Sequence, residues 1–587
     1  MNTRIYSIAG LCTFVAAGAL AQPIIPDRQN DQPMVRKEIE KVYGRQPAFK
    51  TPVMNQPNIL LITSDQHYWM SIGYNNPKVK TPNLDRLAAM GVIYDRAYTV
   101  NPVSTPTRSS IITGLYPSQH GAYALGTKLP ENTPCIGDYL KQAGYTATLV
   151  GKAHFQPLAG NATYPSLEAY PVLQDLDFWK QFHGPFYGFD HVELARNHGD
   201  EANVGQHYAL WMIEKLKKEG RDPDEWKQWF ANPKGHVVAN LDPYAIATPR
   251  MQQIMDKNGA KGKRQTGAWN IPEAYHLNAW IAERTIANMN QAIKNRKPFF
   301  LWASFFDPHP PYLVPEPWAS MYQPDDVDMP DVDPDDLDDM PYHYRMTQQT
   351  AITGWNAPFN EDGYGVTGMG NQISTREQKA KNKAIYYGMI SMMDKYIGLI
   401  LDELEKSGQM ENTVIIYTSD HGHHLGNHHL IAKGAFAFEE DVRVPFIVTW
   451  KGHYPAGSRS QGLVSLVDLA PSFLRISGCD VPATMTGKDA TPLWSGRSDK
   501  IRNWVIVENH HSRTKFYQKS YIEERYKITW YMHSDEGELF DLEKDPRELH
   551  NLWDNPMYQM LKMEMMLKAL KADMEKEPCP MPRVAFA

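Results

Sequence analysis

Runs of apolar residues broken by short polar tips dominate the chain. NILLIT at 58–63 is an unbroken apolar run of strand length, as in a parallel strand covered on both faces. TPNLDRLAAMG at 81–91 has helical spacing and a Thr or Asn cap. The rhythm recurs: IGDYLKQAG predicts a helix with a glycine stop, and YTATLVG at 145–151 predicts a strand. A helix over 276–296, a strand at 298–306, a long helix over about 376–407, and strands at 413–419 and 443–450 follow. This alternation of helix and strand predicts an α/β fold.

Between about 157 and 275 the pattern weakens around many Trp, His and Gly residues, with one helix near 206–219, and this stretch reads as an insertion beside the site. Residues 324–341 hold nine Asp among prolines. They lack the glycine and terminal Glu of a calcium-binding hand and read as a solvated loop. Beyond 495 shorter strands, including WVIVE and YKITWY, precede a terminal helix from about 556, which predicts a smaller C-terminal α+β subdomain over 495–587. The catalytic domain is then expected over 57–494, behind a polar arm at 22–56 that carries a short helical stretch.

Composition narrows the class. Apolar residues at 42% and charged residues at 22% fit a globular protein. A net charge of −7 argues against nucleic acid as a partner. Residues 1–21, with Arg4, an apolar run and Ala19-Leu20-Ala21, read as a cleavable signal peptide, so the expected location is periplasmic or secreted. No later run reaches the length of a membrane span. Cys135, Cys479 and Cys579 remain after cleavage, so at most one disulfide can form.

The predicted strands end in polar clusters: Asp65-Gln66, Lys152 with His154, Asp307 with His309, and Asp420-His421. Taken singly, each residue reads as a hydrogen-bonded structural group. Four such tips at equivalent strand ends suggest convergence on a hard divalent cation, with an oxygen-rich donor set favouring calcium or magnesium over zinc. Ser104 and Arg108 stand four residues apart in STPTR, followed by SSIITG, a pattern that opens a helix. A nucleophile at a helix start meets unpaired N–H groups and partial positive charge.

STPTR with its downstream Thr-Gly resembles the signature of the type I sulfatases, and the likeness extends along the chain. NILLITSDQ, TPNLDRLA, GKAH, DPHPP, SDHG with GNHHLIAK, RVP, and EGELFDLEKDP with NLW at 551–553 are similar, in order, to sulfatase blocks of the alkaline phosphatase superfamily. The resemblance implies a large mixed sheet sandwiched by helices. It implies Asp65, Gln66, Asp420, His421 and modified Ser104 as ligands of Ca2+, with Mg2+ or Mn2+ as alternatives. Ser104 would be oxidised to 3-oxoalanine (Cα-formylglycine), whose hydrate attacks; a plain serine would be left as a stable sulfate ester. Arg108 would orient that hydrate, Lys152 and Lys433 would grip sulfate oxygens, His309 with Lys433 would protonate the leaving alcohol, and His154 would accept a proton.

A Ser at position 104, where many members carry Cys, implies a radical S-adenosylmethionine maturation enzyme as partner. The chain departs from the family pattern at His423 and Asn427, where acidic residues are common. The expected function is hydrolysis of a sulfate ester on a carbohydrate, a substrate class suggested by export, the serine-type signature and the Trp-rich insertion. The alternatives are a phosphodiesterase or phosphonate monoester hydrolase of the same superfamily, and a catalytically silent glycan-binding homologue.

Overall fold

A computed structural model describes residues 56–158, 160, 163–169, 172–201, 204–230, 266–332, 334–348, 375–510 and 516–579. The expected signal peptide, and all of the arm but Gln56, lie outside the described residues. The principal sheet has eight strands: β1 (Asn58–Ser64), β2 (Val92–Tyr94), β3 (Thr146–Lys152), β4 (His191–Ala195), β5 (Phe299–Ser304), β6 (Thr413–Ser419), β7 (Phe446–Thr449) and β8 (Ser458–Ser460). Their spatial order is β8-β2-β7-β6-β1-β5-β3-β4.

β1 pairs in parallel with β5 and β6, and β3 with β5 and β4; β7 alone runs against its neighbours. The sheet is therefore mixed, but five consecutive strands share one direction and bring their carboxyl ends to one edge. Burial explains the unbroken apolar runs. Leu60 and Ile62 enter one core cluster and Ile59 and Leu61 another, one on each face of the sheet.

Helices α1 (Pro82–Ala89), α2 (Ser104–Thr113), α3 (Ile136–Gln142), α4 (Gln206–Lys218), α5 (Leu277–Lys294), α6 (Arg376–Lys406) and α7 (Leu469–Ile476) pack around this sheet. α2 begins after Val103 in extended backbone and tolerates Pro106 within its first turn. It ends at Gly114, which takes the left-handed conformation at φ 67° that glycine adopts without cost. Gly151 has a similar necessity. Its φ is 109°, and an added Cβ would collide with the Ser304 carbonyl oxygen on β5.

The stretch read as an insertion contributes β4, an edge strand of the sheet. Its five residues are too few to impose a pattern against the irregular sequence around them. Cys135, Cys479 and Cys579 are all free. The Asp-rich loop is mostly exposed, but Asp336 is buried and bonds His428 Nδ1 at 3.0 Å. Among the described residues, no helix is long and apolar enough to cross a membrane.

A separate antiparallel sheet, β9 (Val505–His510), β10 (Tyr517–Ile522), β11 (Tyr526–Tyr531) and β12 (Ser534–Asp541), is followed by α8 (Gln559–Glu575). Within it Glu538 is fully buried, accepts bonds from the Tyr531 and Tyr344 hydroxyls, and is pushed by burial from 4.5 up to about 7. A raised folded-state pKa means the stabilising neutral form is fully present below about 4.5 and lost as pH rises through about 7. Glu538→Gln is expected to melt higher than the parent at alkaline pH, by at most about 3 kcal/mol, with the gap closing toward acid pH. Thermal melts across that range check this; a constant gap would show that the carboxyl does not titrate there.

Candidate active site

The carboxyl ends of β1, β3, β4, β5 and β6 deliver Asp65, Lys152, His198, Asp307 with His309, and Asp420 with His421 to one edge of the sheet. The start of α2 meets them. Ser104 Oγ lies 3.4 Å from Asp65 Oδ1, 3.2 Å from His421 Nε2 and 3.5 Å from Lys152 Nζ, with the whole residue buried. The N-terminus of a ten-residue helix adds its positive dipole end to this position. Neighbouring bonds hold the helix start in place. Val103 N donates to Asn101 Oδ1 at 2.9 Å, Thr107 Oγ1 donates to Asn101 O at 2.7 Å, and Thr99 Oγ1 donates to Asp420 O at 2.7 Å.

Arg108, one turn further along α2, is fully buried. Its Nε donates to Asp420 Oδ2 at 2.9 Å, and one terminal nitrogen donates to Ser304 Oγ at 2.7 Å and Lys152 O at 3.0 Å. It thereby ties three strand ends together. Lys152 pairs with Asp65 Oδ2 and lies 3.0 Å from His198 Nε2. Lys433 Nζ lies 3.0 Å from His421 Nε2.

These charges share one buried space. Burial pulls the Lys152 ammonium down to about 7 although Asp65 opposes the shift, and burial likewise lowers Lys433. For Asp65 burial acts upward, but Lys152, His309 and Lys433 outweigh it and hold the carboxyl well below the usual range. His421 falls to about 4 through burial, with Asp420 opposing. At neutral pH Asp65 and Asp420 are carboxylates, the His421 imidazole is neutral and Lys152 is close to its midpoint.

Asp65, Asp420 and His421 each offer a donor atom, all within 4.8 Å of one another. Gln66, in left-handed backbone at φ 63°, sends its N–H to Asp420 Oδ1 at 3.1 Å, while both polar atoms of its buried side chain have no hydrogen-bond partner. An orphaned amide among carboxylates suits a cation ligand. His421 Nδ1 lies 3.1 Å from Gly422 O, which sets the tautomer with the Nε2 lone pair facing Ser104 Oγ and Lys433 Nζ.

His309 stands beside this cluster, its Nδ1 2.6 Å from Pro310 O and its ring stacked on His198 at 4.0 Å between centroids. His154 is set apart: Arg196 lies 2.8 Å from its Nε2, its Nδ1 has no partner, and no bond joins it to Ser104. Asp307 serves the frame instead. Its carbonyl accepts Asp65 N at 3.1 Å, Asn278 donates to its carboxyl at 2.7 Å, and burial raises that carboxyl to about 7.

Sequence reasoning missed His198. It faces Asp65 Oδ2 at 3.5 Å and Glu201 at 3.3 Å. HVELA followed by RNH is the same apolar-strand-then-polar-tip signal in a shorter form.

A mixed sheet whose parallel strand ends gather carboxylates, imidazoles and ammonium groups around a helix-borne hydroxyl is the frame of the alkaline phosphatase superfamily of hydrolases. Within it the chain belongs to the sulfatase family, whose model matches residues 57–479, and it is a sulfuric ester hydrolase. The model described as N-sulphoglucosamine sulphohydrolase, C-terminal, matches residues 426–576. An arylsulfatase of Clostridium perfringens is 28% identical over 516 residues, 86% of this chain and 92% of that protein. An N-acetylglucosamine-6-O-sulfatase of Bacteroides thetaiotaomicron is 25% identical over 529 residues, 87% and 85% of the two chains. The solved phosphonate monoester hydrolase of Silicibacter pomeroyi shares the fold, with TM-score 0.68 at 22% identity over 89% of this chain and 96% of that one.

Proposed function

We propose that this protein is an exported sulfatase that removes sulfate from a carbohydrate, using Ser104 after its oxidation to Cα-formylglycine. The supporting observation is the position of Ser104 Oγ, at a helix start and within 3.5 Å of Asp65, His421 and Lys152. Asp65, Gln66, Asp420 and His421 would hold a divalent cation, calcium by the hardness of the donors, with the modified residue 104 completing the set. When bound, the ion supplies Lewis-acid polarisation of the sulfate. The modified side chain supplies a hydrated aldehyde in place of a simple alcohol.

The remaining roles belong to the surrounding side chains. Arg108 holds Asp420 and, through Ser304 and the Lys152 carbonyl, keeps the strand ends at fixed separation. Lys152 and Lys433 reach the cluster from different segments and would bind sulfate oxygens as point charges. His309 would give a proton to the departing alcohol oxygen. His154, with Nδ1 unpartnered, would take one up. The named activity of the Bacteroides relative supports the carbohydrate assignment.

The test is relative turnover of 4-nitrophenyl sulfate, sulfated monosaccharides and a phosphodiester analogue by enzyme from a host with the maturation system. Mass spectrometry of the peptide bearing residue 104 accompanies it, with a loss of two hydrogens expected. Faster turnover of the phosphodiester would establish the phosphodiesterase or phosphonate hydrolase reading, and an unmodified, inert protein the glycan-binding one. His309→Ala is expected to slow sugar sulfates about 10²–10⁴-fold and nitrophenyl sulfate far less, because only the alcohol needs a proton to leave. Equal losses on both substrates would remove His309 from the acid role.

A further inference from the structure

Helix α8 has two apolar faces, and the described residues cover only one. On the inner face of α8, Met565, Ala569 and Ala572 are buried in a cluster with Tyr521, Ile528 and Leu539 of the antiparallel sheet. On the outer face Met560 is 77% exposed, Met563 67%, Leu567 52%, Leu570 59% and Met574 61%. Scattered exposed apolar residues need no explanation. These five follow one another at intervals of 3, 4, 3 and 4 residues, the spacing of a coiled-coil seam, along about 21 Å of helix.

The charges beside the seam select the occupant. Glu564 and Lys571 flank it, both exposed. If a second α8 lies antiparallel about a two-fold axis at Leu567, Leu567 faces its own copy, Met563 faces Leu570 and Met560 faces Met574. Glu564 of each copy then faces Lys571 of the other, giving two symmetric ion pairs. A parallel pairing would set Gln559 against Glu564 and Met566 against Lys571, with no ion pair in either place. Six long apolar side chains per copy, counting Met557 at 88% exposure, cover much of the roughly 800 Å² per partner of a stable interface.

We propose that α8 is a dimerisation element through which two copies of this chain pair antiparallel, Leu567 on the symmetry axis. The inference is independent of the chemistry at Ser104. Sedimentation of the full chain should show a dimer, and Leu567→Asp should raise its dissociation constant about 100-fold or more while leaving hydrolysis per chain unchanged. Glu564→Lys alone should weaken the dimer, and adding Lys571→Glu should restore it.

Cysteine scanning reads the orientation, in a Cys579→Ser background because Cys579 is free and exposed. Leu567→Cys should form a disulfide-linked dimer under mild oxidation. Met560→Cys should not, and Met560→Cys combined with Met574→Cys should. A parent that stays monomeric at tens of micromolar, a dimer indifferent to Leu567→Asp, or self-linking of Met560→Cys would each overturn the proposal. A monomer that binds phosphatidylglycerol vesicles through this face would overturn it in favour of a lipid surface.

Discussion

Ser104→Ala is expected to abolish sulfate-ester turnover while leaving the fold intact. The two halves have separate causes. On the proposed formylglycine chemistry, loss of activity follows because the variant side chain is a methyl group, with no hydroxyl to be oxidised to an aldehyde. Retention of the fold follows from the geometry, since the contacts of Ser104 Oγ to Asp65, His421 and Lys152 run from 3.2 to 3.5 Å, the long end of hydrogen bonding. Their loss should cost about 1 kcal/mol. Asp65 keeps Lys152, and His421 keeps Gly422 and Lys433, so no buried charge is stranded. Rates on 4-nitrophenyl sulfate and thermal melts of parent and variant, made in the same maturing host, check both halves. Turnover within tenfold of the parent would remove Ser104 from the nucleophile position; a collapsed melt would make it a structural residue.

The order of amino acids makes legible whatever local pattern carries. Asn58–Ser64, Thr413–Ser419 and Phe299–Ser304 are buried on both faces, so their sequences are continuously apolar, and the abrupt change at Asp65, Asp420 and Asp307 marks where the sheet ends. Five parallel strands bring such ends together, so Asp65, Ser104, Lys152 and His421 meet although Asp65 and His421 are hundreds of residues apart. His198 escaped because its strand, His191–Ala195, is short and lies at the edge of the sheet. The partner of His154 could not be read either. Arg196 reaches it from the end of the neighbouring strand, and pairings of that kind follow side-chain direction rather than any period. The same holds for the ionic contacts between the antiparallel sheet and the segment after Lys433, which join residues about a hundred positions apart and leave no trace in composition.

Lys527→Met should give the largest loss of stability, about 3–5 kcal/mol. Lys527 lies on β11 with its ammonium wholly buried, paired with Glu548, 3.2 Å from Glu439 Oε1, and donating to Ala437 O at 2.7 Å. Glu439 and Glu548 also meet directly, through Glu439 N to Glu548 Oε2 at 2.7 Å. Burial drives Glu548 up to about 8, whereas for Glu439 the Lys527 and Arg443 charges overcome burial and keep it ionised. Methionine fills the volume of the lysine stem but supplies no cation, so two buried carboxyls are left facing each other. The cost should show as a lower denaturant midpoint at neutral pH. Adding Glu439→Gln and Glu548→Gln removes the stranded charge and should recover much of the loss, as hydrophobic or neutral replacement of buried ion groups commonly does. A triple variant as unstable as Lys527→Met would assign the lysine a packing role and leave the charges out of the account. Turnover per folded molecule should move far less than stability, because the ammonium bonds Glu439, Glu548 and a carbonyl rather than Ser104, Asp65 or His421.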